Sequence, residues 1–106
     1  MPGNFVRAML AAALAACAMA PAPARVSVTI SGGRFVPAVV AISAGQSVTW
    51  TNADDVDHRL EADDGSFASG NIRPGRSFEH RFMRAGRFGY FCVLHPREKG
   101  TIVVKE

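Results

Sequence analysis

A chain of 106 residues with a formal charge of +3 has room for one domain with one core, and so small a charge gives no reason to expect nucleic acid as a partner. Its two cysteines exclude a disulfide framework, because Cys17 falls in a leader-like segment and leaves Cys92 without a partner in any exported form. An unpaired thiol in an oxidising compartment is protected by burial or by a metal, which makes Cys92 the first residue to explain.

The start of the chain, MPGNFVRAMLAAALAACAMAPAPA, carries one basic side chain at Arg7, an apolar run from Ala8 to Ala20, then small residues and prolines. Residues 1–24 therefore read as a secretory leader. The run is shorter than the ~20 apolar residues a spanning helix requires, so no transmembrane span is expected. Ala22-Pro23-Ala24 offers cleavage before Arg25 and a periplasmic product. Leu14-Ala15-Ala16-Cys17 resembles a bacterial lipobox, which would instead give a lipid anchor at Cys17 and a membrane-anchored lipoprotein facing the periplasm.

From Arg25 onward the pattern changes to short alternating runs punctuated by glycine and proline, with no stretch of helical periodicity. Val26, Val28 and Ile30 alternate with polar residues until Ser31-Gly32-Gly33 breaks the strand ahead of Phe35 and Pro37. A short run from Val39 to Ile42 ends at Ser43-Ala44-Gly45. Ser47 to Asn52 puts Val48, Trp50 and Asn52 on one face, and an acidic loop from Ala53 to Asp57 follows.

A strand is expected around His58 to Ala62, an irregular stretch from Asp63 to Gly75, and a strand from Ser77 to Phe82 with Phe78, His80 and Phe82 on one face. Ala85-Gly86 turns into Arg87–Cys92, where Phe88, Tyr90 and Cys92 point the same way, and Thr101 to Lys105 closes the domain. The fold class is all-β, a Greek-key β-sandwich or barrel of about seven or eight strands over residues 25–106. Asp54, Asp55, Asp57, Glu61, Asp63 and Asp64 crowd one stretch and Arg73, Arg76, Arg81, Arg84 and Arg87 the next. Both clusters read as solvated faces that could steer a charged protein partner.

Cys92 ends a strand and His95 lies in the loop that follows, so thiolate and imidazole are able to converge on one ion. His58, at a strand end where sandwich loops gather, is the best candidate for a third ligand. Two imidazoles and a thiolate suit copper, which keeps both oxidation states accessible when nitrogen and soft sulfur share its coordination sphere. His80, between Phe78 and Phe82 on a sheet face, reads as a packed histidine. Trp50, Phe88 and Tyr90 read as core.

At these residues the chain resembles a known family. From about Val26 to the C-terminus it is similar to the cupredoxins, most closely the amicyanin, pseudoazurin and plastocyanin group. The resemblance rests on Gly33-x-Phe35-x-Pro37, on Ala44-Gly45-x-x-Val48-x-Trp50-x-Asn52 ahead of His58, and on Gly86-x-Phe88-x-Tyr90-x-Cys92-x-x-His95-Pro96. It implies one copper ion with His58, Cys92 and His95 as equatorial ligands, single-electron transfer with transient redox protein partners, and no enzymatic chemistry. A monomer is expected. The rival from another class is a copper- or zinc-binding protein for metal delivery or storage.

Two departures from the family pattern matter. Where the family continues His-Pro-x-Met-x-Gly, this chain has His95-Pro96-Arg97-Glu98-Lys99-Gly100, with Glu98 in the place of the axial methionine. Met1, Met9 and Met19 lie in the leader and Met83 precedes the Gly86 turn, so no methionine readily replaces it. Glu98 is either a fourth ligand that lowers the reduction potential and lets zinc compete, or a solvent-facing residue between Arg97 and Lys99. The second departure is Arg59, where the family usually carries a small polar residue. Its backbone amide could still donate to the metal-bound sulfur, and Asn52 is placed either to fix the ligand loop or simply to end its strand.

Overall fold

The computed structural model describes residues 25–106. These form nine strands: β1 Arg25–Ser31, β2 Arg34–Val36, β3 Val39–Ser43, β4 Ser47–Asn52, β5 His58–Ala62, β6 Ala68–Ile72, β7 Ser77–Arg81, β8 Gly86–Cys92 and β9 His95–Lys105. They build two facing sheets, ordered β2-β1-β4-β7 and β3-β9-β8-β5-β6. Within them β1 runs parallel to β4 and β3 parallel to β9. The all-β sandwich is as expected. The leader and the lipobox around Cys17 lie outside the described residues, among which no helix is long and apolar enough to cross a membrane.

Alternation decides which side of each strand is dry. In β4 the inward positions Val48, Trp50 and Asn52 are all fully buried while their neighbours are not, which is the period-2 pattern of a strand with one face on the core. Trp50 is the centre of that core. Phe67, Phe78 and Tyr90 surround it at ring-centroid distances of 5.7, 5.7 and 5.3 Å, the separations at which offset and edge-to-face aromatic pairs attract. His80 packs here too, stacked on Phe67 at 4.9 Å and edge-on to Phe82 at 4.7 Å, well away from the cluster described below.

Two local expectations are corrected. The stretch from Asp63 to Gly75 holds a strand, β6, although only Ile72 of its five residues is buried. Pairing with β5, His58↔Ile72 and Leu60↔Gly70, imposes the strand where no alternation announces it. His95 does not lie in a loop: it opens β9, because Val93-Leu94 makes a two-residue turn and Cys92 pairs with His95. The same economy joins β1 to β2. Gly32 and Gly33 have φ of 61° and 71° between the paired residues Ser31 and Arg34, a hairpin turn whose twist requires positive φ at both central positions.

Candidate metal centre

The strand order β9-β8-β5 brings three chain-distant segments to one end of the larger sheet. His58 begins β5, Cys92 ends β8, and His95 and Glu98 lie on β9. Register aligns them: Cys92 pairs with His95 across one ladder and with Leu60, two residues beyond His58, across the other. One ligand atom from each of His58, Cys92, His95 and Glu98 falls within 4.8 Å of every other, a group that could hold a metal ion.

Cys92 Sγ stands 3.6 Å from Nδ1 of both His58 and His95. Glu98 Oε1 is 3.0 Å from His58 Nδ1 and Glu98 Oε2 3.6 Å from His95 Nδ1. Despite the 3.0 Å approach, Oε1 is a buried oxygen with no hydrogen-bond partner. Buried acceptors are rarely left orphaned. A carboxylate oxygen 3.0 Å from a ring nitrogen with no hydrogen bond between them is the arrangement of two donors around a shared cation. The donor set therefore fits a metal. Glu98 itself turns inward, with its side chain 11 % exposed, and does not face solvent between Arg97 and Lys99.

Supporting contacts determine which lone pairs point inward. His58 is fully buried, and its Nε2 donates to Asp54 Oδ2 at 2.9 Å, leaving Nδ1 as the inward acceptor. Asp54 also accepts from the backbone amides of Gly32, at 2.7 Å, and Gly33, at 3.2 Å. Partial burial works to raise its pKa, but those amides and His58 together outweigh it, so Asp54 stays below its ordinary value and ionised.

Fully buried Asn52 ties the loop between β4 and β5 in place. Its Nδ2 donates to Val56 O at 2.7 Å and Ile72 O at 2.9 Å while its Oδ1 accepts from Asp54 N at 2.9 Å. Arg59 N donates to Cys92 Sγ at 3.4 Å. The side chain at 59 is irrelevant to that bond, as its backbone origin suggested.

The Cupredoxin-like domain family matches residues 4–104. The chain is a cupredoxin. This cupredoxin is 32% identical to amicyanin-alpha of Methylorubrum extorquens over 103 residues, covering 92% of this chain and 86% of that one. It is 37% identical to plastocyanin of Scenedesmus fuscus over 84 residues, covering 67% of this chain and 86% of that one. Among solved structures, a purple cupredoxin from Nitrosopumilus maritimus superposes with a TM-score of 0.70 at 30% identity, covering 76% of this chain and 99% of that one. The family's cofactor is a single copper ion, and the cluster of His58, Cys92, His95 and Glu98 could hold one such ion and is compatible with an axial glutamate.

The sequence named all four clustered residues, and the structure brings all four together. Two supporting residues escaped it. Asp54 sat in an acidic run read as a solvated face, although a carboxylate four residues before a candidate ligand histidine was an available signal. Gly33 was read as a turn residue and as part of a family motif, not as a support of the site.

Proposed function

We propose that this cupredoxin is a periplasmic electron carrier whose copper is bound by His58, Cys92, His95 and Glu98, with a reduction potential lowered by the Glu98 carboxylate. The observation that carries this reading is the convergence of four donor atoms within 4.8 Å around a buried carboxylate oxygen that hydrogen-bonds to nothing. Residues 1–24 act as the export leader.

Bound copper supplies the one-electron couple; the chain's residues set its energy and its access. The Cys92 thiolate is the soft donor, and the Arg59 amide draws part of its charge away. Asp54 holds His58 in the tautomer that presents Nδ1, and Asn52 keeps the loop carrying Asp54 from drifting. Because these supports are backbone ladders and buried hydrogen bonds, the donors are fixed whether the site holds more or less positive charge, which keeps rearrangement on electron transfer small.

His58 is sealed inside, but the His95 side chain is 42 % exposed and is the electron port. Exposed Leu94 and Pro96 beside it offer a small apolar contact, and exposed Arg97 and Lys99 add a basic rim suited to an acidic or mixed-charge redox protein. Such encounters are weak and salt-dependent.

The test is to load the purified protein with Cu(II) and record visible absorption and cyclic voltammetry. An intense sulfur-to-copper charge-transfer band, abolished in Cys92→Ser, together with a reversible one-electron wave is expected. Absence of the band refutes the ligand assignment. A band without reversible cycling refutes the carrier role in favour of metal delivery or storage, a reading that the oxygen donor of Glu98 also suits because zinc accepts histidine, cysteine and carboxylate together.

A further inference from the structure

The turn between β1 and β2, in the opposite sheet, comes close to Glu98 from outside the metal cluster. Gly33 closes the β1–β2 turn at φ 71°, and a β-carbon placed on it would stand 3.0 Å from Glu98 Oε2. That oxygen is the one 3.6 Å from His95 Nδ1. The same glycine donates its N–H at 3.2 Å to Asp54 Oδ2, the atom that receives the His58 Nε2 proton at 2.9 Å. One residue without a side chain thus leaves room for the carboxylate of the site and hydrogen-bonds the support of its buried histidine.

Its neighbour gives an internal contrast. Gly32 also has positive φ, 61°, and also donates to Asp54, at 2.7 Å, but a β-carbon there would meet nothing within 4 Å. The turn geometry requires positive φ at both positions; only position 33 additionally requires the absence of a side chain on account of Glu98.

We propose that Gly33 is a specificity-determining residue of the metal centre: its bare α-carbon sets the depth of the axial position and admits the Glu98 carboxylate to it. A β-carbon at 33 would push Oε2, and with it the rigid carboxylate that carries Oε1, by a few tenths of an ångström, and metal–ligand distances are tolerant to only about 0.2 Å. The displacement therefore reaches the scale at which a ligand is weakened or lost. Because the displaced donor is a hard, charged oxygen, its loss bears most on ions that favour oxygen, zinc above cuprous copper. The inference rests on the reading of Glu98 as a ligand.

The test compares full-length wild type, Gly32→Ala, Gly33→Ala, Glu98→Gln and the double variant Gly33→Ala with Glu98→Gln. Three quantities are read: Zn(II) dissociation constant by chelator competition, the Cu(II) charge-transfer spectrum, and the reduction potential. Gly33→Ala is expected to weaken Zn(II) binding about tenfold or more, the range typical when the support of a ligand is removed. It should also move the spectrum and potential in the same direction as Glu98→Gln.

Gly32→Ala, with the same backbone penalty but no contact with Glu98, should change all three far less than Gly33→Ala does, and in the double variant Gly33→Ala should add nothing. If Glu98→Gln changes these quantities while Gly33→Ala behaves as Gly32→Ala does, the role of Gly33 is overturned and the ligand reading stands. If Glu98→Gln changes nothing, the ligand reading itself fails. Should Gly33→Ala not fold, Gly33→Asn against Gly32→Asn makes the same comparison, since asparagine tolerates positive φ.

Discussion

Replacing Glu98 by glutamine keeps the shape of the side chain and removes its charge, and the structure bounds the effect on reduction potential. The four donor atoms lie within 4.8 Å of one another, so an ion among them is no more than about 3 Å from the carboxylate oxygen. Reduction changes the ion's charge by one unit, and the interaction of that unit with a carboxylate at ~3 Å is about 5.5 kcal/mol at an effective dielectric of 20 and about 1.4 kcal/mol in bulk water. With ~59 mV for each 1.4 kcal/mol of a one-electron couple, the bracket runs from about 60 to about 230 mV. The Glu98 side chain is 11 % exposed, which places the expected value in the upper half. Glu98→Gln should therefore raise the potential by more than about 145 mV in cyclic voltammetry at neutral pH, with a changed charge-transfer spectrum. A rise under about 30 mV would mean that the carboxylate does not feel the ion's charge, and the reasoning would fail.

Three further outcomes are expected. Asp54→Asn leaves one acceptor oxygen and no charge where three N–H groups, those of Gly32, Gly33 and His58 Nε2, bond the carboxylate, so Zn(II) and Cu(II) binding should weaken about 10- to 100-fold and the His58 tautomer seen by NMR in the metal-free protein should change; an unchanged tautomer would remove Asp54 from its positioning role. In Gly100→Ala the new methyl would collide with the Tyr90 ring and hydroxyl on the paired strand, an overpacking that should cost about 1–3 kcal/mol in urea unfolding; a loss below about 0.5 kcal/mol would contradict the contact.

The third concerns Tyr90, the one tyrosine of the chain. Burial pushes its hydroxyl up to about 12, with Trp50 N–H opposing weakly but outside hydrogen-bond geometry, so that both polar atoms lack a partner. Between pH ~10 and 12 the unfolded chain has lost this proton and the folded one has kept it, so stability falls as pH rises through that window, by about 3 kcal/mol at most. Tyrosinate absorbance should appear together with unfolding. Ionisation near pH ~10 in an intact fold would refute the burial argument.

How much of this was legible in the chain follows from where each signal resides. β4 announces itself because Val48, Trp50 and Asn52 alternate with half-buried neighbours, and burial on one face of a strand has no other local signature. Cys92 and His95 were legible because three residues of spacing already bring them together, and Glu98 because it departs from a family pattern at a defined place. β6 was not legible: Ala68, Ser69, Gly70 and Asn71 carry no alternation, and only hydrogen bonding to β5 makes them a strand. His95 was expected in a loop for a similar reason, since its strand character comes from the Cys92 ladder rather than from its own neighbours.

The amino-acid sequence by itself determined an all-β chain, a single core with Trp50 and Tyr90 in it, and a cysteine and two histidines with an acidic residue beside them. These are properties of residue type and short-range order, readable without coordinates. The tertiary structure decided which carboxylates join the histidines. Glu98 turns inward onto His58 and Asp54, one member of an acidic run, is singled out by the amides of Gly32 and Gly33, contacts between segments more than 20 residues apart, with only the Asp54–His58 bond being local. Charge along a chain is local, whereas desolvation of a charge requires that two sheets close over it.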